Sequence, residues 1–349
     1  MTSNTAAWLN SARAYPLEIK AAPYTKPSEG EIVVRNHAVA INPVDWKLQE
    51  LGGGLFSWVT YPTIPAYDVS GVIAEVGSGV TQFKVGDRVL GMSLGLLSSA
   101  AEGACQEYVV VKANLACKIP DSLSHESASV LPLTLCTAAC GMFQKDFLAL
   151  NYPSHSPEPT GETLLVWGGS TSVGINAIQL AVAAGYEVIA TASPKNFDFV
   201  KKHGASAAFD YNSPTVVEDI VAAFEGKTSA GAIAIGNVSP GTLRHSEVPI
   251  ISCLSIVAQI KGRKFVASAA HLPENLPAGA EAKFIFGNTL KDNEVGKVIF
   301  EDFLPHALAQ GKYAAVPEPI VVGKGLEYVQ EAFEVQKRGV SARKVVVSL

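Results

Sequence analysis

Glycine and hydroxyl residues are concentrated between residues 168 and 174, in the segment Gly-Gly-Ser-Thr-Ser-Val-Gly. Four apolar residues, Leu164–Trp167, precede this segment, and an apolar series with helical spacing begins at Val173. The pattern predicts a buried strand, a tight turn and a helix. Glycine permits such a turn, and a helix N-terminus offers unpaired N–H groups and a positive dipole end to phosphate. The segment therefore predicts a dinucleotide-binding turn.

Three consecutive hydroxyl residues stand in this turn, where many dinucleotide-binding turns have glycine: Ser170, Thr171 and Ser172. These hydroxyls either hydrogen-bond phosphate oxygens or cap the helix that follows. The strand–turn–helix context favours dinucleotide binding at this turn.

Composition and charge exclude several classes of function. The chain has 349 residues, 48% hydrophobic and 17% charged, with a net charge of −5 and no basic run, so no nucleic-acid partner is expected. We see neither a membrane-spanning run nor a secretory signal. The five cysteines form no C-x-x-C pair and the seven histidines are dispersed, which favours a reducing, cytoplasmic location without a metal site.

The hydrophobic pattern changes along the chain. Residues up to about 135 contain short apolar strands separated by glycine, proline or serine, followed by a helical pattern through Ala149. A polar, proline-rich stretch at 151–161 is predicted to be a surface insertion. From Thr163 onwards strands and helices alternate, which predicts a parallel sheet with helices on both faces.

Motifs along nearly the whole chain carry a resemblance to a known family. They are I-N-P-V-D-W-K (41–47), P-A-Y-D-V-S-G (65–71), E-V-G-S-G-V-T-Q-F-K-V-G-D-R-V (75–89), C-T-A-A (136–139), the glycine turn, H-G-A near 204 and F-D-Y (209–211). The chain resembles the zinc-independent, quinone-oxidoreductase-like medium-chain dehydrogenases/reductases. The hydroxyl-rich turn, S-P-K-N-F-D (193–198) and the 151–161 insertion are most similar to fungal trans-acting enoyl reductases that serve polyketide synthases.

The resemblance implies an α/β fold with two domains. Residues 1–135 and 276–349 would form a GroES-like, β-rich catalytic domain, and residues 136–275 a Rossmann domain with a doubly wound parallel sheet. Zinc-dependent relatives supply Cys and His-Glu as catalytic ligands, whereas this chain has Asn-Pro-Val-Asp at 42–45 and Ala-Tyr-Asp at 66–68. The four-cysteine structural lobe is also absent, so no zinc chemistry is expected.

The second strand of the predicted Rossmann domain ends at Ser193, Pro194, Lys195 and Asn196. An NAD-type site would place an acidic residue here, whereas a cation and neutral donors suit the 2′-phosphate of NADPH. Tyr211 matches the family tyrosine that contacts this phosphate. The alternatives are that Ser193 caps a helix, Lys195 is solvated and Tyr211 packs on a strand.

The resemblance also implies roles for residues elsewhere in the chain. Ser170, Thr171, Ser172 and Val173 are expected to hold the pyrophosphate. Further cofactor contacts are expected from Val44, Asp45, Lys47, Ser268, Ala269, Val340 and Ser341. The candidate catalytic residues are Lys47, Thr137 and Asn42, and the candidate substrate wall is Phe284, Ile285 and Phe286. Each has a structural alternative: a surface lysine, a threonine bonded to its own helix, an asparagine capping a turn, and core packing. Water is the alternative proton donor.

The expected function is NADPH-dependent hydride transfer to an activated C=C bond of a small hydrophobic substrate, as in an enoyl or alkene reductase. An NADPH:quinone or ketone reductase is the alternative, because both would use the same hydride machinery. A non-catalytic structural or RNA-binding family member is the third alternative. A polyketide synthase is the expected protein partner, and the motifs leave the oligomeric state open.

Overall fold

The computed structural model describes residues 3–52, 57–95, 99–236 and 248–349. It divides into two compact units. The β-rich unit comprises Met1–Leu133 and Phe300–Leu349, and the parallel-sheet unit comprises Thr134–Ile299.

The N-terminal part of the β-rich unit consists mainly of short strands. They are β1 (Asn4–Trp8), β2 (Glu18–Ala22), β3 (Glu31–Ile41), β4 (Asp68–Val76), β5 (Arg88–Met92), β6 (Tyr108–Lys112) and β7 (Ala116–Lys118). Its helices are α1 (Pro43–Leu51) and α2 (His125–Ala128), and α3 (Pro132–Phe143) begins at its end. The strands are rich in valine and isoleucine, which suit a pleated, buried surface.

The parallel-sheet unit alternates strands with helices. Its elements after α3 are β8 (Glu162–Trp167), α4 (Ser172–Ala183), β9 (Glu187–Ala192), α5 (Phe197–Lys202), β10 (Ala207–Asp210), α6 (Val216–Ala223), β11 (Thr228–Ala234), α7 (Val248–Gln259), β12 (Phe265–Ser268), β13 (Glu281–Phe284) and α8 (Glu294–Lys297). All six strands are parallel, in the order β10-β9-β8-β11-β12-β13. This is the dinucleotide-binding order, which reverses between β8 and β11.

The chain then returns to the β-rich unit through a π-helical turn, Val298–Phe303. The remaining elements are α9 (Leu304–Ala309), β14 (Pro319–Lys324), α10 (Val329–Arg338) and β15 (Lys344–Ser348). β15 pairs antiparallel with β3 and parallel with β14, which completes a sheet of order β14-β15-β3-β4-β5-β7, with β6 also paired to β3. The C-terminal strand therefore lies beside the strand that leads into α1.

The predicted fold class, a doubly wound parallel sheet plus a β-rich GroES-like domain, is confirmed by this architecture. The structure differs at the second domain boundary. The sequence predicted a return to the catalytic domain at residue 276, but β13 pairs with β12 and extends the parallel sheet, so this unit continues to Ile299. The predicted helix through Ala149 is also shorter, because α3 ends at Phe143.

Apolar burial holds the parallel sheet between its helices. Side chains from the sheet and from α6 and α7 form one core cluster, which includes Leu165, Trp167, Ile220, Leu254 and Val266. Each fully buried side chain of this size contributes about 1.5–3 kcal/mol. Among the described residues, one stretch, His125–Phe143, has the length and hydropathy of a membrane span, but 78% of it is buried inside the protein, as in a core helix.

Two histidine rings stack inside the β-rich unit. The rings of His37 and His125 lie 4.9 Å apart and nearly parallel, and His125 Nδ1 lies 2.9 Å from the hydroxyl of the buried Ser70. Burial lowers the pKa of His125 to about 4, and the positive charge of Arg88 adds to this effect. Burial also lowers the pKa of His37. The fold therefore favours the neutral imidazoles.

We expect the stability of the protein to fall as the pH drops from about 6.5 to about 4, the interval between the ordinary and the folded pKa of His125. In this window the unfolded chain binds a proton that the folded chain excludes. His125→Asn removes this titration, so its stability should depend less on pH. Urea unfolding across the window measures the difference. His271→Asn, at an exposed site, is the control, and parallel curves for wild type and His125→Asn would contradict the prediction.

Candidate active site

The glycine turn between β8 and α4 is built by close backbone approach. A Cβ atom at Gly174 would lie 2.2 Å from the carbonyl oxygen of Gly168, closer than any side chain tolerates. Gly168 itself has a φ of 83°, and its N–H donates to Thr191 Oγ1 at 2.9 Å. The first turn of α4 therefore rests directly on the end of β8.

Thr171 caps the helix rather than extending a hydroxyl to a ligand. Its Oγ1 donates to the Gly168 carbonyl at 2.7 Å and accepts from the Gly174 N–H at 3.0 Å. The single hydroxyl hydrogen is thereby used. Within the described part of the chain, the N–H groups of Ser172 and Val173 have no acceptor, and both residues are half-buried. These two amides at the positive end of α4 form a cradle that fits a pyrophosphate.

The turn after β9 brings the predicted 2′-phosphate residues together. Ser193 Oγ lies 2.9 Å from the hydroxyl oxygen of Tyr211, although 18 residues separate them. Asn196 Nδ2 donates to Ser170 Oγ at 3.4 Å, which links this turn to the glycine turn. Because two paired hydroxyls share one hydrogen bond, one O–H of the pair is available to a ligand.

Charge at this turn is positive. Lys195 is exposed and has no carboxylate partner among residues 3–52, 57–95, 99–236 and 248–349, and Pro194 beside it is also exposed. The nearest acid in the neighbouring strand, Asp210, accepts from the backbone N–H of Asn212 at 3.0 Å and so closes its own turn. The turn thus combines a free cation and hydroxyl donors with no acid at residues 193–197.

Ser268 and Ala269 lie at the carboxyl end of β12, as predicted, but their polar groups are occupied. Ser268 Oγ donates to the Ala270 carbonyl at 2.7 Å, and the Ala269 N–H donates to the Ala234 carbonyl at 2.9 Å. These residues therefore shape the edge of the sheet. Their contact with a nicotinamide stays a prediction.

The predicted substrate wall divides into three environments. Ile285 is buried and packs against Gly141 of α3, so it belongs to the core rather than to a pocket surface. The ring of Phe284 stacks on that of His271, 4.6 Å between centroids, and Phe286 is 40% exposed. Of these three positions, Phe286 offers the largest accessible apolar surface.

Thr137 lies on α3, half-buried, and a glycine packs against it. A Cβ atom at Gly287 would lie 3.2 Å from both the backbone nitrogen and Oγ1 of Thr137. The backbone of residue 287 is held nearby because Gln144 donates to Thr289 Oγ1 at 2.8 Å, and Thr289 Oγ1 donates to the Phe286 carbonyl at 3.0 Å. Gly287 thereby leaves room beside the threonine hydroxyl.

In the β-rich unit, the amide of Asn42 is already engaged. Its Nδ2 donates to Asp68 Oδ2 at 2.8 Å, and its Oδ1 accepts from the ammonium of Lys344. Asn42 is also only 2% exposed. This geometry does not support the catalytic role predicted for Asn42, because the carbonyl oxygen and an amide hydrogen are both taken. It supports a structural role at the start of α1.

Asp45 is fully buried and caps the N-terminus of its own helix, α1. Its Oδ2 accepts from the Asn42 N–H at 2.7 Å, and its Oδ1 has no hydrogen-bond partner. Burial raises the pKa of Asp45 to about 8, and the negative charge of Asp68 adds to the rise. Asp45 therefore carries a proton at neutral pH, and its predicted cofactor contact would need the buried carboxyl to become accessible.

Val44 and Lys47 occupy the accessible face of α1. They are three residues apart, which places them on one side of the helix, and both are half-buried. Burial lowers the pKa of Lys47, whose ammonium lies 5.7 Å from the centre of the Trp46 ring. No carboxylate in the described ranges pairs with it. A half-buried lysine without a counter-ion is typical of functional lysines.

The remaining predicted cofactor residues, Val340 and Ser341, lie in the loop between α10 and β15. Val340 is half-buried and Ser341 is exposed. Their contact with a nicotinamide also stays a prediction. Among the described residues, no three histidine, cysteine, aspartate or glutamate side chains lie close enough together to hold a metal ion.

Sequence analysis did not identify Asp68 and Lys344 as site residues. They form a buried ion pair at 3.1 Å, and both also bond to Asn42. A weak signal was available, because each is a charged residue that begins a mainly apolar strand, β4 and β15. The sequence held no indication that the two strands would bring these charges together.

Comparisons with known proteins agree with this architecture. The alcohol dehydrogenase GroES-like domain model matches residues 28–121. Dehydrogenase orf1 of Aspergillus niger is 52% identical over 334 residues, 95% of each chain. Dehydrogenase pigH of Monascus ruber is 47% identical over 100% of both chains. Trans-enoyl reductase himH of Aspergillus japonicus is 39% identical over 99% of this chain and 97% of its own.

Solved structures show the same fold at lower identity. An alcohol dehydrogenase superfamily protein from Novosphingobium aromaticivorans has a TM-score of 0.78 at 24% identity, covering 100% of both chains. The CurK enoyl reductase has a TM-score of 0.72 at 19% identity, covering 99% of each.

Fold and site together define an oxidoreductase that uses a nicotinamide cofactor. The chain belongs to the medium-chain dehydrogenase/reductase family, with quinone-oxidoreductase-like structural neighbours and fungal trans-enoyl reductases among its relatives. The family membership predicted from the sequence motifs is confirmed.

Asp45→Asn tests the buried acid. The folded protein keeps a proton on Asp45 between about 3.8 and about 8, where the unfolded chain has lost it. Stability therefore declines as the pH rises through this window, with a slope of up to about 1.4 kcal/mol per pH unit. The asparagine does not titrate and keeps an oxygen for the Asn42 N–H. The variant's gain in unfolding free energy over wild type should thus increase with pH.

Urea unfolding at several pH values measures this gain. Glu50→Gln, at an exposed position of the same helix, is the matched control. A difference between Asp45→Asn and wild type that does not change with pH would show that Asp45 is not held protonated.

Proposed function

We propose that this protein is an NADPH-dependent reductase of activated carbon–carbon double bonds. The observation that carries the cofactor assignment is made at the turn after β9. The Ser193 hydroxyl of this turn lies 2.9 Å from the Tyr211 hydroxyl, and Lys195 of the same turn has no carboxylate partner among the described residues. A 2′-phosphate needs a cation and hydrogen-bond donors, whereas a free ribose hydroxyl is best accepted by an acid. This turn offers the first set.

The substrate assignment rests on the relatives and on Lys47. Relatives named trans-enoyl reductase align with nearly all of this chain, at 39% identity for himH. Reduction of an α,β-unsaturated carbonyl places negative charge on the carbonyl oxygen, which a nearby cation stabilises. Lys47 is half-buried and lacks a counter-ion among the described residues, so its charge is available for this purpose.

The proposed division of labour follows from the chain's own groups. The Ser172 and Val173 amides hold the pyrophosphate at the N-terminus of α4. When bound, the nicotinamide supplies a hydride to the β-carbon of the enone. Lys47 stabilises the resulting enolate and, with a pKa already lowered by burial, donates a proton to it. Phe286 contributes apolar surface for the substrate chain.

We further propose that the substrate is an acyl chain presented by a polyketide synthase and that the protein works in the cytoplasm. The support is the name trans-enoyl reductase, which relatives in Aspergillus japonicus, Aspergillus flavipes and Penicillium citrinum carry. An enoyl chain of this kind is hydrophobic, and the exposed ring of Phe286 offers apolar surface that such a chain could contact.

Cofactor selectivity provides the first test. Lys195→Ala should weaken NADPH binding about 10-fold to 100-fold, because a charged hydrogen bond contributes about 1.5–3 kcal/mol, and it should leave NADH binding unchanged. Ser193→Ala and Tyr211→Phe should act in the same direction with smaller effects. Fluorescence titration of the reduced nicotinamide measures each Kd.

Lys202→Ala is the matched control for Lys195, since it removes an exposed lysine from the following helix. The NADPH assignment is overturned if wild type binds NADH more tightly than NADPH. Equal weakening of both cofactors by Lys195→Ala would refute the role of Lys195.

The reaction itself is tested by NADPH consumption with enones, quinones and ketones, followed by product identification. We expect the saturated carbonyl compound from an enone. Lys47→Met should lower kcat by about 10²–10⁴, the usual contribution of a positioned acid, and retain NADPH binding.

Lys337→Met is the matched control, because the Lys337 ammonium lies 5.9 Å from the same Trp46 ring that Lys47 approaches. Consumption of NADPH with quinones or ketones alone would replace the proposed function with the quinone or ketone reductase. Full kcat in Lys47→Met would leave water as the proton donor.

A further inference from the structure

The carboxylate of Asp68 bonds to three separate segments of the β-rich unit. Its Oδ1 accepts from the backbone N–H of Leu133 at 2.6 Å, in the first turn of α3. Its Oδ2 accepts from Asn42 Nδ2 at 2.8 Å, immediately before α1, and pairs with Lys344 Nζ at 3.1 Å, at the start of β15. One side chain thus bonds to two helix starts and to the C-terminal strand.

The three polar side chains form a closed triangle. Lys344 donates to Asn42 Oδ1 as well as pairing with Asp68, and Asn42 donates to Asp68. Asp68 is fully buried and Lys344 is 4% exposed. In such a setting the loss of either charge leaves the other buried without compensation, so the triangle forms completely or is strongly destabilised.

The backbone leading to Asp68 is under constraint. Ala66, two residues earlier, has a φ of 73° and is fully buried. This conformation is unfavourable for a residue with a Cβ atom and persists only where the surroundings impose it. The Ala66 carbonyl accepts from the Ala104 N–H at 3.0 Å, which helps to hold it. The chain thus maintains a strained turn just before the residue that joins the helix starts.

One of the two helices held by Asp68 carries Lys47, the proposed proton donor, and the other carries the catalytic candidate Thr137. Asn42 precedes α1, whose accessible face presents Lys47. Leu133 lies in the first turn of α3, which carries Thr137 one turn further on. A carboxylate at the N-terminus of α3 also interacts favourably with the helix dipole. The starts of both helices, at Asn42 and at Leu133, are therefore tied to one anion.

We infer that Asp68, held by Lys344, is a positioning residue for the reductase reaction, which fixes the starts of α1 and α3 without touching substrate or cofactor. This inference rests on the proposed function. It assigns the buried ion pair a part in turnover, beyond stability, because a misplacement of about 1 Å in a catalytic group costs about a hundredfold in rate.

The variants Asp68→Asn, Lys344→Met and their double mutant test the inference in the full-length protein. Each single variant should lose thermal stability and lower kcat about 10-fold to 100-fold, with the Kd for NADPH within about twofold of wild type. The double mutant removes both charges, so it should recover stability and not kcat. Lys344→Arg retains the charge and should retain most of the kcat.

The Glu187→Gln and Lys227→Met variants are the matched control, since they break a shorter ion pair, 2.6 Å, in the parallel-sheet unit. They should change stability and leave kcat unchanged. If the Asp68→Asn protein is folded and has the wild-type kcat, the inference is overturned. It is also overturned if the double mutant recovers stability and kcat together, because the role is then structural only.

Hydrogen exchange separates this inference from the proposed function. If wild type reduces no enone, the proposed function fails. The hydrogen exchange of the amides at the starts of α1 and α3 still tests whether Asp68 holds these segments. Faster exchange at both starts in the double mutant, with unchanged exchange in α4, supports the shared anchor. Unchanged exchange at either start refutes it. If the single variants do not fold, kcat and hydrogen exchange are measured on the double mutant and on Lys344→Arg instead.

Discussion

The parallel-sheet unit depends on one close approach, that of Gly174 in α4 to the carbonyl of Gly168 at the end of β8. The space that a Cβ atom would occupy is already filled, at 2.2 Å from that oxygen. Because of this contact, α4 packs closely against the end of β8. The first amides of α4 therefore lie near the carboxyl end of β8. The strand order reverses at this position, which leaves a crevice for a ligand. Any larger residue would displace the helix and with it the Ser172 and Val173 amides, which we propose hold the pyrophosphate.

Hydroxyl groups around this contact serve two different purposes. Thr171 uses its single hydrogen on the Gly168 carbonyl, so it completes the turn that the glycines allow. Ser193 and Tyr211 bond to each other at 2.9 Å and retain one hydrogen for a ligand. The same chemical group is therefore structural in one position and available in another. The hydrogen-bond partners determine this difference.

Lysines in the β-rich unit show the same dependence on surroundings. Lys344 is buried and bound by Asp68 and Asn42, so its charge is neutralised within the fold. Lys47 is half-buried beside Trp46, and among the described residues no carboxylate compensates it. Desolvation lowers the pKa of Lys47, because burial disfavours the charged ammonium. Burial and pairing, rather than residue type, separate the paired Lys344 from Lys47, which lacks a carboxylate partner among the described residues.

Local patterns in the sequence determined the strands, the glycine turn and the order of elements. These features depend on side chains close together in the chain, as in the strand, turn and helix predicted around residues 164–174 and observed as β8 and α4. The boundary at residue 276 was missed because β13 alternates charged and apolar residues, Glu-Ala-Lys-Phe, and becomes a strand only by pairing with β12.

The role of Asn42 was decided by tertiary structure alone. Its partners Asp68 and Lys344 lie 26 and 302 residues away, so no local pattern could show that its amide is occupied. The sequence by itself determined which chemical groups this protein has and where its glycine turn lies. Only the folded chain decided which groups are free to react, because burial and long-range pairing set their protonation and their hydrogen bonds.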